Sequence, residues 1–284
     1  MNLFEWFWRP SDKSMFIKQA RSIGFAIPHD AQEYYKFHKN LHDWIHSSNQ
    51  TVAGLPGSGY IVNGVTEALD QTYVLYNKIG IFEGEYGYHE LALPAERLTY
   101  DLQDADCIVI SHPFSADGMS SHDKLAYADT FNKPIFVDCA FFGICMNQTF
   151  DFIKYKNIHS VAFSLSKTFG TGWYRVGMLY TKDLYPVIVT KKWNYEQMAT
   201  AEKHKDLITT IGPDDIPQYY RDSQLKICKR NNLTPSDTVI FGIDYENAYG
   251  KNFERGDSNR ICISKILEYE HKSFLKFKKI KNVY

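Results

Sequence analysis

From residue 59 to residue 181, short apolar runs alternate with segments in which apolar residues recur every three or four positions. The runs at 59–63, 78–82, 106–111, 134–138, 160–164 and 176–181 predict strands. Between the first two, Val65, Ala68, Leu69, Thr72, Tyr73 and Tyr76 fall at helical spacing. The stretch 121–131 reads as a helix with Leu125 and Ala128 turned inward. Strand and helix in alternation predict an α/β architecture, a mostly parallel sheet covered by helices. After Asp183 the texture changes. Residues 191–232 are polar and helix-prone, broken by Gly212-Pro213 and by Pro217. Strands are expected at 238–245 and 259–264, followed by a basic helical end. The expected organisation is an arm and helix over 1–44, a large three-layer domain over 45–183 and a small α+β domain over 184–284. There are no repeats and no low-complexity tracts.

Composition narrows the class. The chain has 284 residues, 44% of them hydrophobic and 23% charged, enough for a substantial core. A formal net charge of -1 argues against a nucleic-acid partner held by bulk electrostatics. No apolar run is long enough to span a bilayer, so no membrane partner is expected. The aromatic opening, with Trp6, Phe7 and Trp8, lacks a basic start, a continuous apolar stretch and a small-residue cleavage site. It suits an arm packing on a partner subunit or at a substrate entrance. The five cysteines have neither metal-finger nor disulfide spacing, and Cys107, Cys139 and Cys262 lie in strand-like runs where a thiol acts as a small hydrophobe. A reducing, cytoplasmic setting is expected.

The chemistry concentrates around Lys167. Ser164 and Ser166 end a strand, Lys167 follows, then come a glycine-containing loop and Arg175. A lysine amine forms an imine with an aldehyde, while hydroxyls and a guanidinium hold a phosphate dianion. Taken alone, Ser-x-Ser-Lys also fits a plain strand exit with an exposed lysine. Upstream, the apolar run 134–138 ends on Asp138, where α/β sheets place their ligands. An aspartate at such a turn equally suits a helix N-cap. Gly64, Val65 and Thr66 open a helix whose free amides suit an anion.

Together these pieces resemble the class I/II branch of the pyridoxal 5′-phosphate (PLP)-dependent aminotransferases, fold type I. The resemblance runs from about residue 34 to residue 264, with the motifs in family order. It implies a three-layer large domain with a mostly parallel sheet, plus a small α+β domain. It implies that Lys167 is the Schiff-base lysine and Arg175 the phosphate-binding arginine, with Ser164 and Ser166 beside the phosphate. Asp138 matches the carboxylate that pairs with the pyridine nitrogen, and the Val65 amide and Thr66 match the phosphate cradle. Tyr86 resembles the aromatic residue stacked on the ring, and His89 the residue supporting the aspartate. Tyr35 resembles a tyrosine that reaches the neighbouring subunit's phosphate. Arg260, leading a strand at 259–264, matches the arginine that grips the substrate carboxylate as a bidentate fork. The implied activity is transamination between a small amino acid and a 2-oxo acid in a homodimer. The alternatives are another reaction at Cα, such as β-elimination, decarboxylation or racemisation, and a PLP-binding protein without turnover.

The chain also departs from the family. Ser115 stands where an asparagine donates to the phenolic oxygen of the cofactor, and Phe141 where many members carry a donating tyrosine. The segment 171–174 lacks the usual apolar-glycine texture, and the chain is shorter than typical members. Fewer donors to the phenolate favour the protonated imine, so reconstituted protein should stay yellow to unusually high pH. A spectral titration with an imine pKa near neutrality contradicts that expectation. His38, His42 and His46 lie four apart on an expected helix, a spacing that suits either a metal or a half-exposed face. No acid is arranged as in a metalloprotease helix and Asp43 is the only carboxylate among them, so they are expected to form the face, and no metal is expected. The lysine-rich tail around Phe274, Leu275 and Phe277 is expected to pack as an amphipathic last helix.

Overall fold

The computed structural model describes residues 31–183 and 198–270, so the aromatic opening and the lysine-rich tail lie outside the described residues. Helix α1 (Ala31–His46) leads into a short parallel pair, β1 (Val52–Ala53) with the later β7 (Phe150–Asp151). The main sheet has seven strands. They are β2 (Ser58–Val62), β3 (Ile79–Gly80), β4 (Leu98–Thr99), β5 (Cys107–Ser111), β6 (Ile135–Cys139), β8 (Ile158–Ser164) and β9 (Gly177–Thr181). Their order is β2-β9-β8-β6-β5-β3-β4, and β9 runs against both of its neighbours while the rest pair in parallel.

Alternation along the strands explains the layers. Ile108, Ile110, Ile135, Val137, Val161 and Phe163 join one buried cluster, whereas Cys107, Val109, Phe136 and Ala162 join another. Side chains two apart share a face, so these strands bury both faces and read as continuous apolar runs. Helix α2 (Gly64–Leu75) covers the second face through Val65, Ala68, Leu69 and Tyr73. The short α3 (Tyr88–Ala92) brings His89 into the interior on the same side of the chain. The first face is covered by α1, by α4 (His122–Asp129) with Leu125 and Ala128 inward as expected, and by α5 (Met198–Thr210). Each fully buried residue of this size contributes roughly 1.5–3 kcal/mol.

Helix α5 is tied to the large unit: Leu207, Ile208 and Ile211 lie in its core, and Trp44 Nε1 donates to the Ile211 carbonyl at 2.7 Å. The expected domain boundary near residue 184 falls outside the described residues. Helix α6 (Asp215–Arg230) then leads to an antiparallel sheet ordered β10-β11-β13-β12. These are β10 (Thr234–Pro235), β11 (Phe241–Asp244), β12 (Glu254–Arg255) and β13 (Ser258–Cys262), followed by α7 (Ser264–Glu270). Among the described residues, no helix is long and apolar enough to cross a membrane.

Four expectations change. The strand expected at 78–82 shortens to Ile79–Gly80, because Glu85 N donates to the Phe82 carbonyl and closes a turn. Pro217 does not break the helical stretch; it sits in the first turn of α6, where its missing N–H would have no helical acceptor. The strand expected at 238–245 begins at Phe241, since Thr238 and Val239 bond the large unit instead. Thr238 Oγ1 donates to the Gly118 carbonyl at 3.0 Å, and Val239 N to the Ile144 carbonyl at 2.9 Å. Cys262, expected inside, is exposed at the end of β13, while the other four cysteines are buried. On α1, His38 bonds the Gly59 carbonyl and His42 Nδ1 the Tyr180 hydroxyl, so this face carries structural contacts.

Candidate active site at the carboxyl edge of the sheet

Register alone gathers the expected residues. Ser111 on β5 pairs with Asp138 on β6, and Val62 and Ser164 both pair with Gly177, the first residue of β9. Because β9 is antiparallel, its start lies at the edge where the parallel strands end, so Arg175 arrives beside Gly64 and Ser164. Glycine at 177 is required by close approach: a Cβ there would lie 2.1 Å from the Phe163 carbonyl oxygen.

One end of the edge is shaped for an anion. Gly64 has φ +71, and a Cβ there would lie 3.2 Å from Ser164 Oγ and 3.4 Å from Arg175 Nε. The glycine thereby leaves a hollow between a hydroxyl, a guanidinium and the first turn of α2, whose N–H groups are free of helical partners. Arg175 Nη2 donates to Thr66 Oγ1, and Ser166 N donates to Ser164 Oγ at 3.2 Å. Val65 is buried at the same turn. The Ser166 hydroxyl oxygen is buried without a hydrogen-bond partner among the described residues. A phosphate dianion supplies what that hydroxyl and guanidinium lack.

Lys167 follows on a turn fixed at both ends, with Phe169 N donating to the Leu165 carbonyl at 3.0 Å and Thr168 Oγ1 to the Phe142 carbonyl at 2.8 Å. Its own side chain is exposed. Asp138 is buried at the end of β6 and accepts from Ala140 N at 2.8 Å. Burial pushes its carboxyl up to about 7; the Ala140 amide and the Lys167 and Arg175 cations oppose this, while neighbouring Glu85 adds to it. A cation placed against Asp138 restores the carboxylate, which suits a protonated pyridine nitrogen.

Tyr86 stands beside this space, close enough to feel the charges of Asp138 and Arg175, with 40% of its surface exposed and its ring stacked on Tyr88 at 5.9 Å. His89 is fully buried, its Nδ1 bonded to the Tyr73 hydroxyl at 2.7 Å. No direct hydrogen bond joins His89 to Asp138, and His89 Nε2 has no partner among the described residues. Burial holds this histidine at about 4, so it stays neutral near pH 7.

Across the junction with the small sheet, Arg260 Nη1 donates to the Ser115 carbonyl and lies 3.4 Å from Ser115 Oγ. Its guanidinium packs 4.6 Å over the Phe241 ring, which meets Phe141 edge-on at 5.3 Å. Among the described residues it has no carboxylate partner. Burial lowers Arg260 to about 10, so it remains a cation at neutral pH. A half-buried fork bonded only to a carbonyl and a hydroxyl is prepared for an incoming carboxylate. Phe141 brings no hydroxyl to this region, and Tyr35 is exposed on α1.

Sequence reasoning missed three residues here. Glu85 is buried beside Tyr86, Ser111 closes β5 against it, and Tyr73 fixes His89 from α2. Tyr73 was visible as an inward helical position; Glu85 carried no signal, since neighbouring Glu83 and Glu90 look the same in sequence.

No family model matches the sequence, and no curated protein matches it. Solved structures do. An aminotransferase from Helicobacter pylori aligns over 95% of this chain and 91% of its own, at 14% identity and a TM-score of 0.58. A PLP-bound C-S lyase from Staphylococcus hominis aligns over 92% and 85%, at 13% identity and a TM-score of 0.60. L-threonine-O-3-phosphate decarboxylase from Porphyromonas gingivalis aligns over 95% and 97%, at 12% identity and a TM-score of 0.58. The chain has the fold shared by these proteins, that of the PLP-dependent aminotransferases of fold type I. Aminotransferase, lyase and decarboxylase all use it, so the fold leaves the reaction open.

Proposed function

We propose that the chain binds pyridoxal 5′-phosphate through Lys167 and moves amino groups between a small amino acid and a 2-oxo acid, as a cytoplasmic homodimer. The observation that carries this reading is the hollow at Gly64, bounded by Ser164 and Arg175, at the edge that also holds Asp138 and Lys167. Lys167 Nζ forms the covalent link, and Ser164, Ser166, Thr66, the Val65 amide and Arg175 hold the phosphate. When bound, the cofactor supplies an electron sink for bonds at the amino acid's Cα.

The chain's own groups do the rest. Asp138 keeps the ring nitrogen protonated, and the Tyr86 ring covers one face. Arg260 would take the substrate carboxylate and so orient the amino acid. Lys167 Nζ, freed from the cofactor, would be the base that takes and returns the Cα proton. Tyr35 reaches the partner subunit's phosphate. A second reading, elimination or decarboxylation at Cα, is supported by the lyase and the decarboxylase that share the fold at similar TM-scores.

Incubating the reconstituted protein with amino donors and 2-oxo acids separates the two. Transamination gives a new amino acid only when an oxo acid is supplied. Ammonia, pyruvate or carbon dioxide released without an acceptor supports the second reading, and neither outcome with any donor leaves a binding protein without turnover.

A further inference from the structure

Glu85 is only 7% exposed, and its carboxylate is wholly engaged. Oε1 accepts from Tyr86 N at 2.9 Å and from the Ser111 hydroxyl, and Oε2 accepts from Ser111 N at 2.9 Å. The Ser111 hydroxyl oxygen in turn accepts from Ser115 N at 2.7 Å. The Ser115 carbonyl and hydroxyl then face Arg260. The bonds form one continuous relay, Glu85 to Ser111 to Ser115 to Arg260, spanning the Tyr86 segment, the end of β5 and the small sheet.

A carboxylate is an expensive way to fill this position. Removing an ion from water costs several kcal/mol, and an amide side chain would accept some of the same bonds without a charge. No cation lies within salt-bridge distance of Glu85 among the described residues. The charged groups around it are Lys124 of α4, Asp138 of β6 and Arg260 of β13. Burial pushes its carboxyl up, opposed by the bonds from Ser111 and Tyr86. What the charge does gain is direction. An ionised carboxylate can only accept, so the Ser111 hydroxyl must donate to it, leaving the Ser111 lone pair for Ser115 N. That bond fixes the amide of Ser115, the residue whose carbonyl meets Arg260. Among the described residues, Ser115 supplies the hydrogen bonds that tie the guanidinium to the large unit.

We infer that Glu85 is a positioning residue for carboxylate recognition, acting through Ser111 and Ser115 to hold Arg260 where a substrate carboxylate meets it. This rests on the proposed function for the identity of the carboxylate, although the relay itself does not. Glu85 touches no reacting atom in this scheme; it decides how well acids are told from plain amines.

The test uses the full chain reconstituted with pyridoxal phosphate, in wild-type form and as Glu85→Gln, Ser111→Ala and Arg260→Ala. The probes are L-alanine and isopropylamine, which differ only in a carboxylate replaced by methyl. Binding is read from the change in the cofactor's absorption, and the reactivity of Arg260 from its phenylglyoxal adduct by peptide mass. Wild type should prefer L-alanine. Glu85→Gln and Ser111→Ala should each cut that preference about tenfold, the effect of one lost charge-assisted bond, while isopropylamine binding stays unchanged. Arg260 should react severalfold faster in both. Adding Glu85→Gln to Arg260→Ala should cost nothing more. Equal weakening of both probes, or an unchanged preference with unchanged Arg260 reactivity, overturns the inference. Silence toward both probes in wild type, with faster Arg260 modification in the variants, keeps the relay and overturns the functional reading instead.

Discussion

Lys167→Ala yields protein in which borohydride fixes no pyridoxal phosphate, whereas wild type retains it on the peptide carrying Lys167. The reason is covalent: alanine has no amine to join the aldehyde, and the neighbouring Ser166 and Thr168 cannot form an imine. The phosphate side of the site is untouched, since Arg175, Thr66, Ser164 and the Gly64 hollow do not depend on residue 167. The variant should therefore still take up cofactor non-covalently, with weaker retention on dialysis. Any reaction at Cα should fall by at least roughly 10²–10⁴-fold, the usual contribution of a positioned proton-transfer group. Fixed cofactor on another lysine of the variant would displace Lys167 from its role. Colourless wild-type protein that no cofactor reconstitutes would end the functional reading altogether.

The residues that could be read from sequence share a property: their position follows from local pattern. An apolar run ending in Asp138 has to deliver its carboxylate to the carboxyl edge, and Ser164 and Arg175 flank a turn whose length is fixed by β8 and β9. Arg260 is singled out by the family resemblance rather than by local pattern, and it lies in the middle of β13. What was hidden depends on partners far along the chain. Glu85 looks like any surface acid until Ser111, from another strand, bonds it on both carboxylate oxygens. Thr238 and Val239 read as strand, and only the approach of Gly118 and Ile144 converts them into a clasp between the two sheets. Pro217 reads as a breaker because sequence alone did not locate the first turn of α6, the one place in a helix that tolerates it. Phe141 was legible as a missing phenol; that its ring would instead brace Phe241 beneath Arg260 was not.

Asp138→Asn should remove a loss of stability that the cofactor-free wild type suffers as pH rises. The wild-type carboxyl titrates at about 7 when folded, against an ordinary value of 3.8, and the leading cause is burial. A raised value means that the folded chain keeps a proton which the unfolded chain gives up at lower pH. Stability from this group is therefore complete below the unfolded value and declines as pH rises to about 7. Above that both states are ionised and the loss levels off. The window corresponds to about 4 kcal/mol at most, from the free energy per pKa unit. Asparagine has no proton to lose, so the gap in thermal midpoint between wild type and variant should swing toward the variant by several degrees across this window. Adding pyridoxal phosphate at pH 8 should close the gap. A cationic ring nitrogen against an ionised Asp138 recovers the buried charge, and asparagine offers it nothing comparable. A wild-type-minus-variant difference that stays flat from pH 4 to pH 8 would mean that Asp138 ionises as it does in water, and that its burial does not poise it for a cationic partner.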